Sequence, residues 1–279
     1  MTKKSPSSRR SPWETWTHDR LHRECAVTIA CTIEPSSLSS YSSAVSSYFA
    51  FCSAHSFPVE PTPDTLSFYT VYMAHYIKPK SVSSYLSGVC SQLEPFFPDI
   101  HLHRRHWLVS KTLEGCHKMF PSATSRKCPL TRSELANISH WYSSSPSYNG
   151  NLFLSLLLTG FHGLLRLGEL TWPDKKDLQD YRKVIMRNSV EVDSKSFRFT
   201  LPGHKADRFF DGSLVILQST KLADNPFTLF VKYLSLCHCH FHLRAKLWLK
   251  EDSTIPTRAW FLRLLEVLPP SQRLASLLP

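Results

Sequence analysis

No stretch of this 279-residue chain is apolar for long enough to cross a bilayer. The longest run, Leu152 to Phe161, is broken by Ser155, Thr159 and Gly160, whereas a spanning helix needs about 20 apolar residues. The first 30 residues contain no apolar core followed by a small-residue cleavage site, so secretion is not expected. The eight cysteines, at 25, 31, 52, 90, 116, 128, 237 and 239, include no CxxC pair. Scattered through apolar segments, they read as reduced thiols of an intracellular protein. Acidic residues are scarce. Asp plus Glu is 22 against 33 Lys plus Arg, a formal charge of +11. A soluble chain this basic usually meets a polyanion, most often nucleic acid. Hydrophobic residues make up 42% and charged residues 20%, which excludes a wholly disordered chain, a collagen and a coiled-coil rod.

One cluster looks metal-binding: Cys237-His238-Cys239-His240, then His242. Ligands on one helix face fall at i and i+3 or i+4, and a structural zinc site draws its pairs from two separated segments. The spacing fits neither rule, so a helix turn is expected here and no metal.

The length suggests two domains. Residues 1–34 read as a basic, disordered arm with Lys3, Lys4, Arg9, Arg10, Arg20 and Arg23, able to track phosphates or serve as a nuclear address. Residues 35–121 show four helical patterns. The first carries Leu38, Tyr41, Val45, Tyr48, Phe49 and Cys52. The second opens at Thr62-Pro63-Asp64, an N-cap with proline at the first helical position. The third runs from Lys80-Ser81 to Glu94-Pro95. The fourth spans Arg104 to Phe120, with Trp107, Leu108, Leu113, Cys116 and Met119 as its apolar stripe and Arg104, Arg105, Lys111 and Lys118 as its basic face. Four short helices of this kind make a bundle of roughly 85 residues. Residues 122–130, containing Arg126 and Lys127, read as a linker between prolines. Thr131-Arg-Ser-Glu134 then fits a capping box that starts a new helix.

The second half, 131–279, mixes helix and strand. Asn151 to Leu170 reads as one apolar helix ending Gly163-Leu-Leu-Arg166-Leu-Gly168-Glu169-Leu170. Residues 184–192, 196–201 and 213–217 read as three antiparallel strands, with turns at Asp193-Ser-Lys195 and after Pro202-Gly203. Helices are expected over Pro226 to Leu249 and Pro256 to Leu268. The fold class is therefore mainly α with a small antiparallel β-sheet. Arg166 closes an apolar run, so its guanidinium lies at the edge of a core and must pair. Glu169 is one candidate partner, and a phosphate gripped through two hydrogen bonds is another. Lys205 stands in a turn beside His204, Arg208, Phe209 and Phe210. There it can donate to a phosphate or protonate a leaving oxygen.

The order of these elements, with GLLRLGEL at the helix end and LPGHKADRFF in the strand-connecting turn, resembles the tyrosine recombinase (phage-type integrase) family, most nearly the recombinases of fungal mobile elements. The resemblance covers about residues 36–262. It implies a SAM-like core-binding bundle over 35–121 and a mixed α/β DNA breaking-rejoining domain over 131–279, clamping a duplex between them. It assigns Arg166 to the scissile phosphate and Lys205 to protonation of the 5′-oxygen. Lys80, Arg104, Arg105, Lys111, Arg126, Lys127, His204 and Arg208 are the candidate DNA contacts. The implied partner is double-stranded DNA, with a homo-oligomer on it allowed, no cofactor and no metal, in the nucleus.

The chain departs from the family pattern after Arg166. No His-x-x-Arg follows, and the tyrosines beyond that point are Tyr181 and Tyr233. A catalytic domain incomplete at its C-terminus, by truncation or frameshift near Leu265, is expected, and with it a DNA-binding protein without strand transfer. A recombinase completed in trans by a partner and a non-enzymatic interaction protein are the alternatives.

Overall fold

A computed structural model describes residues 15–30, 32–121, 129–144, 147–204, 207, 210–221 and 224–266. The chain is mainly helical with one three-stranded antiparallel sheet, and it divides into two units, Met1–Thr124 and Ser125–Pro279. Among the described residues no helix is long and apolar enough to cross a membrane.

Among its described residues the first unit holds six helices, five of them within residues 35–121, where the periodicity suggested four: α1 His18–Ala30, α2 Pro35–Ala54, α3 Pro63–Ala74, α4 Pro79–Leu93, α5 Ile100–Arg105 and α6 Trp107–Met119. The expected disordered arm is thus corrected over its second half, where α1 forms with Leu21, Val27 and Ile29 exposed. The helix expected from Arg104 to Phe120 is also corrected. The chain breaks at His106, whose extended backbone and Nδ1 cap α6 through the Leu108 N–H. Within α6 Val109 and Cys116 are buried and Leu108 and Leu113 partly buried, whereas Trp107 and Met119 are about 70% exposed.

The α3 start follows from its sequence. Thr62 Oγ1 accepts from the Thr65 N–H at 3.2 Å, and Pro63 occupies the first helical position. The core is built on Tyr48, Leu66, Tyr69, Val82, Leu86 and Ile100, all at most 1% exposed. Tyr48 and Tyr69 meet edge to face at 5.3 Å, and the Tyr69 hydroxyl donates to Ser47 Oγ. Burial pushes the Tyr69 phenol up to about 12. Helices α2 and α4 cross where Gly88 faces Ala44. A Cβ at 88 would lie 2.9 Å from Ala44 Cβ and 3.1 Å from Tyr41 Cα.

The second unit contains α7 Arg132–Ser144, α8 Tyr148–His162, the single turn α9 Leu167–Leu170, β1 Glu191–Val192, β2 Ser196–Leu201, β3 Ser213–Gln218, α10 Pro226–His240 and α11 Arg258–Glu266. The capping box before α7 forms, with Thr131 N donating to Glu134 Oε2 at 2.7 Å and Glu134 N to Thr131 Oγ1 at 3.3 Å. The sheet order is β1-β2-β3. Phe197 and Phe199 point inward from β2 and pair across to Leu217 and Val215. Phe197 stacks on Phe230 of α10 at 3.8 Å, so one ring pair joins sheet to helix. Helix α8, buried along its length, packs on α10. Phe153 meets Phe261 of α11, and the Tyr142 hydroxyl donates to the Leu264 carbonyl.

Three boundaries in this unit are corrected. The strand expected over 184–192 shortens to Glu191–Val192. Residues 185–187 instead pair with 245–247, with Arg187 N donating to Ala245 O and Leu247 N to Ile185 O, and a 3₁₀ turn follows over Arg187–Ser189. Helix α10 stops at His240, and the residues after it supply that pairing. The Asn151–Leu170 helix is two elements. After His162 the chain makes a Schellman ending: Leu165 N donates to Gly160 O at 2.9 Å and Leu164 N to Phe161 O at 3.4 Å. The left-handed position belongs to Leu164, at φ +52 and 92% exposed, because Gly163 lies one residue early, where a Cβ would meet the Thr159 carbonyl at 2.7 Å.

Three substitutions at two positions test this packing. Gly88→Ala should lower the melting temperature of the chain. The ~1 kcal/mol gain in helix propensity is outweighed by the clash with Ala44 and the Tyr41 backbone, about 1–3 kcal/mol for overpacking. Leu164→Asn should match or raise stability by up to about 1 kcal/mol, since Asn tolerates the left-handed region, while Leu164→Val should lower it. Thermal melts of the three chains check the order.

Candidate nucleic-acid interface

Arg166 stands where α8's buried surface gives way to solvent. Its backbone is extended and it caps α9. The Glu169 N–H donates to the Arg166 carbonyl at 2.8 Å. One Glu169 oxygen accepts the Arg166 N–H at 2.8 Å and the other accepts Nη1 at 3.0 Å. The carboxylate is nearly buried, 11% exposed, while the Arg166 side chain is 67% exposed. One acid therefore fixes a cation to the backbone and leaves most of its guanidinium facing water. That arrangement can take a second oxyanion through the remaining N–H groups.

The turn joining β2 to β3 holds the second expected group. Lys205 and Arg208 lie outside the described residues, as do Arg126 and Lys127 of the expected linker. The turn's described residues form a tight frame. His204 Nε2 is 3.2 Å from Ser213 Oγ. Asp207 N donates to the His204 carbonyl, and the Asp207 carboxylate accepts the Asp211 and Gly212 N–H groups. Phe210, at φ +58, lies against Gly203, where a Cβ would meet its ring at 2.9 Å. The Arg182 guanidinium sits 4.6 Å over the same ring and is held from behind by the Asp180 carboxylate at 2.9 Å, which keeps that carboxyl below its usual range. Sequence reasoning missed this contact. The only signal for it was the run Asp180-Tyr-Arg-Lys183.

The first unit's cations differ in what they are tied to. Lys80 is exposed in the first turn of α4, and Arg105 is exposed at the end of α5. Arg104 is half-buried. Its Nη2 donates to the Ser83 carbonyl at 3.1 Å, and its Nη1 is buried without a hydrogen-bond partner. Lys111 and Lys118 both grip Glu114, at 2.8 and 2.9 Å, and together push that carboxyl down to about 2.

The two cysteines of the Cys-His run differ in setting. Cys237 is buried, and Cys239 is exposed. No group of three His, Cys, Asp or Glu able to hold a metal occurs among the described residues. Cys237 Sγ instead accepts from Arg187 Nη2 at 3.2 Å. Arg187 Nη1 donates to the Phe241 carbonyl at 2.9 Å, so this guanidinium fastens the end of α10. The two tyrosines after Arg166 have opposite settings. Tyr233 is fully buried, donates to Leu247 O and accepts the Leu249 N–H, and burial raises its phenol well above the ordinary value. Tyr181 is 68% exposed.

No protein-family model matches the chain, and no curated protein matches it.

The Glu114 clamp has a pH signature. Because its carboxyl is lowered, the two ion pairs are intact above the usual carboxylate range and come apart only as pH falls toward 2. An NMR titration should place the Glu114 midpoint near 2. In Lys111→Ala/Lys118→Ala it should return to the ordinary range, and high salt should shift the wild type the same way.

Proposed function

We propose that this chain is a DNA-binding protein derived from a tyrosine recombinase and that these 279 residues by themselves form no covalent link to DNA. The observation that carries the reading is Arg166. Within GLLRLGEL it is an exposed guanidinium held by a nearly buried acid, poised for a phosphate oxygen. Three further features support it: the +11 charge, the helical unit followed by a unit with a three-stranded sheet, and a β2–β3 turn that presents His204 beside Lys205 in the sequence. On this reading the SAM-like assignment belongs to the first unit, the breaking-rejoining assignment to the second, and the nucleus is the site of action.

Mechanistically, Arg166 and Lys205 neutralise a backbone phosphodiester, and summed contacts from Lys80, Arg105, Arg126, Lys127 and Arg208 set the affinity. Strand cleavage by this family's route needs an attacking tyrosine. Tyr233 is enclosed in the core with both of its hydroxyl roles taken by backbone groups, and no His-x-x-Arg follows Arg166.

An electrophoretic shift with a 40-base-pair duplex should give an affinity that falls steeply with added salt, by roughly 10³-fold or more between 50 and 200 mM if six or more phosphates are contacted. Arg166→Ala should weaken binding by about 1.5–3 kcal/mol, the range for a hydrogen bond to a charged group. A suicide duplex should yield no protein–DNA adduct stable to denaturation. Affinity indifferent to salt would remove the DNA reading, and an adduct would remove the claim of inactivity.

A further inference from the structure

The second unit carries an aromatic and cationic shelf that the phosphate site does not use. It is built on the 3₁₀ turn Tyr181–Lys183. The Tyr181 ring stands edge to face with Trp172 at 4.9 Å and 89°. The Lys246 ammonium lies 5.1 Å from the Tyr181 centroid and 5.6 Å from that of Trp172. The backbone keeps these groups together. Trp172 is anchored by its N–H to Pro256 O and by Arg258 N to its own carbonyl, and the 185–187/245–247 pairing brings Lys246 alongside. The turn is capped by Asp180, whose carboxylate accepts the Arg182 N–H. Gln179 Nε2 closes the preceding loop on Pro173 O at 3.0 Å, and that loop displays the exposed Lys175 and Lys176.

A tyrosine 68% exposed, yet held against a tryptophan ring and a lysine, is neither core nor a loosely solvated side chain. Its exposed ring offers a flat apolar surface with cations beside it. In a duplex the base faces are covered by their neighbours and only edges and phosphates are presented, so such a ring has nothing there to stack on. In an unpaired strand the base faces are open and the phosphates are flexible enough to reach cations on either side of a stacked base.

We propose that this shelf binds an unpaired stretch of DNA, with one base stacked on Tyr181 and its flanking phosphates met by Lys175, Lys176 and Lys246. The inference rests on the DNA-binding reading above and adds a second site, specific for unpaired bases, to it.

Fluorescence anisotropy of the full chain tests it, using a 40-base-pair duplex and the same duplex with a central six-nucleotide mismatch bubble. The wild type should bind the bubbled DNA more tightly. Tyr181→Ala should lose about tenfold on the bubble, within the range measured for one stacked base, and remain unchanged on the duplex. Tyr181→Phe should keep both affinities, because the ring and not the hydroxyl is used. Tyr181→Ala binding the bubble as tightly as wild type, or losing equally on both DNAs, would overturn the shelf while leaving duplex binding in place. Wild-type protein that binds neither DNA would overturn the DNA reading itself and the shelf with it.

Discussion

Glu169 fixes the position on which the functional reading depends. Its carboxylate receives the Arg166 backbone N–H on one oxygen and the guanidinium on the other. As an isolated surface pair this contact would be worth little, about 0–1 kcal/mol. Its importance is geometric. The acid is nearly buried and the arginine is not, so the pair sets where the cation sits without consuming its outward face. The elements on both sides serve that placement: before it, a helix whose Leu152, Phe153, Leu156 and Leu158 are sealed in the core and a Schellman ending that turns the chain through Leu164; after it, a one-turn helix that returns Leu170 to the interior. Seven residues separate the buried Leu158 from the exposed Arg166.

The described residues of the β2–β3 turn are held by a different route. It has no helix to cap, so the frame comes from side chains acting on backbone: Asp207 on the Asp211 and Gly212 N–H groups, and Phe210 pressed on Gly203. The Phe197–Phe230 stack holds the sheet to α10, and the Trp248 ring packs on Tyr233 of the same helix. The turn therefore rests on aromatic packing within the second unit. Cations join that packing at its margin, Arg182 over Phe210 and Lys246 over Trp172 and Tyr181. Packing and charge presentation are the same contacts there.

What the sequence disclosed was mostly local chemistry. The Thr62 and Thr131–Glu134 caps, the Asp193 turn and the β2 strand follow from residues within a few positions of one another, so pattern alone reaches them. The failures have tertiary causes. Residues 184–192 alternate as a strand should, but the backbone of 185–187 finds its partners at 245–247, sixty residues on. The α8 break was hidden because a leucine, not a glycine, takes the left-handed position. The α6 stripe keeps Leu113 and Cys116, while Trp107 and Met119 at the two ends of the helix are exposed. As for the site, Arg166 and its partner Glu169 were legible as a charge at the edge of a core. The Tyr181 shelf was not, because Trp172, Tyr181 and Lys246 are brought together only by the fold.

A net charge of +11 does not say which cations on a surface are open to a ligand, and the arginines of this chain show why. Arg187 and Arg166 both follow apolar residues, and both are held by fixed acceptors. Arg187, however, spends its guanidinium on the Phe241 and Lys246 carbonyls and the Cys237 sulfur, with Nε buried, so its charge is committed to closing α10. Arg104 is likewise drawn into α4 through Ser83. Truncating either would disturb the fold before it disturbed a ligand, since removing a half-buried guanidinium leaves its carbonyl acceptors unpaired. A cation available to a phosphate must be held on one side and open on the other. Arg166 meets that condition through a single acid, and for that reason, more than for its place in a motif, it is the residue from which an interface on the second unit is best drawn.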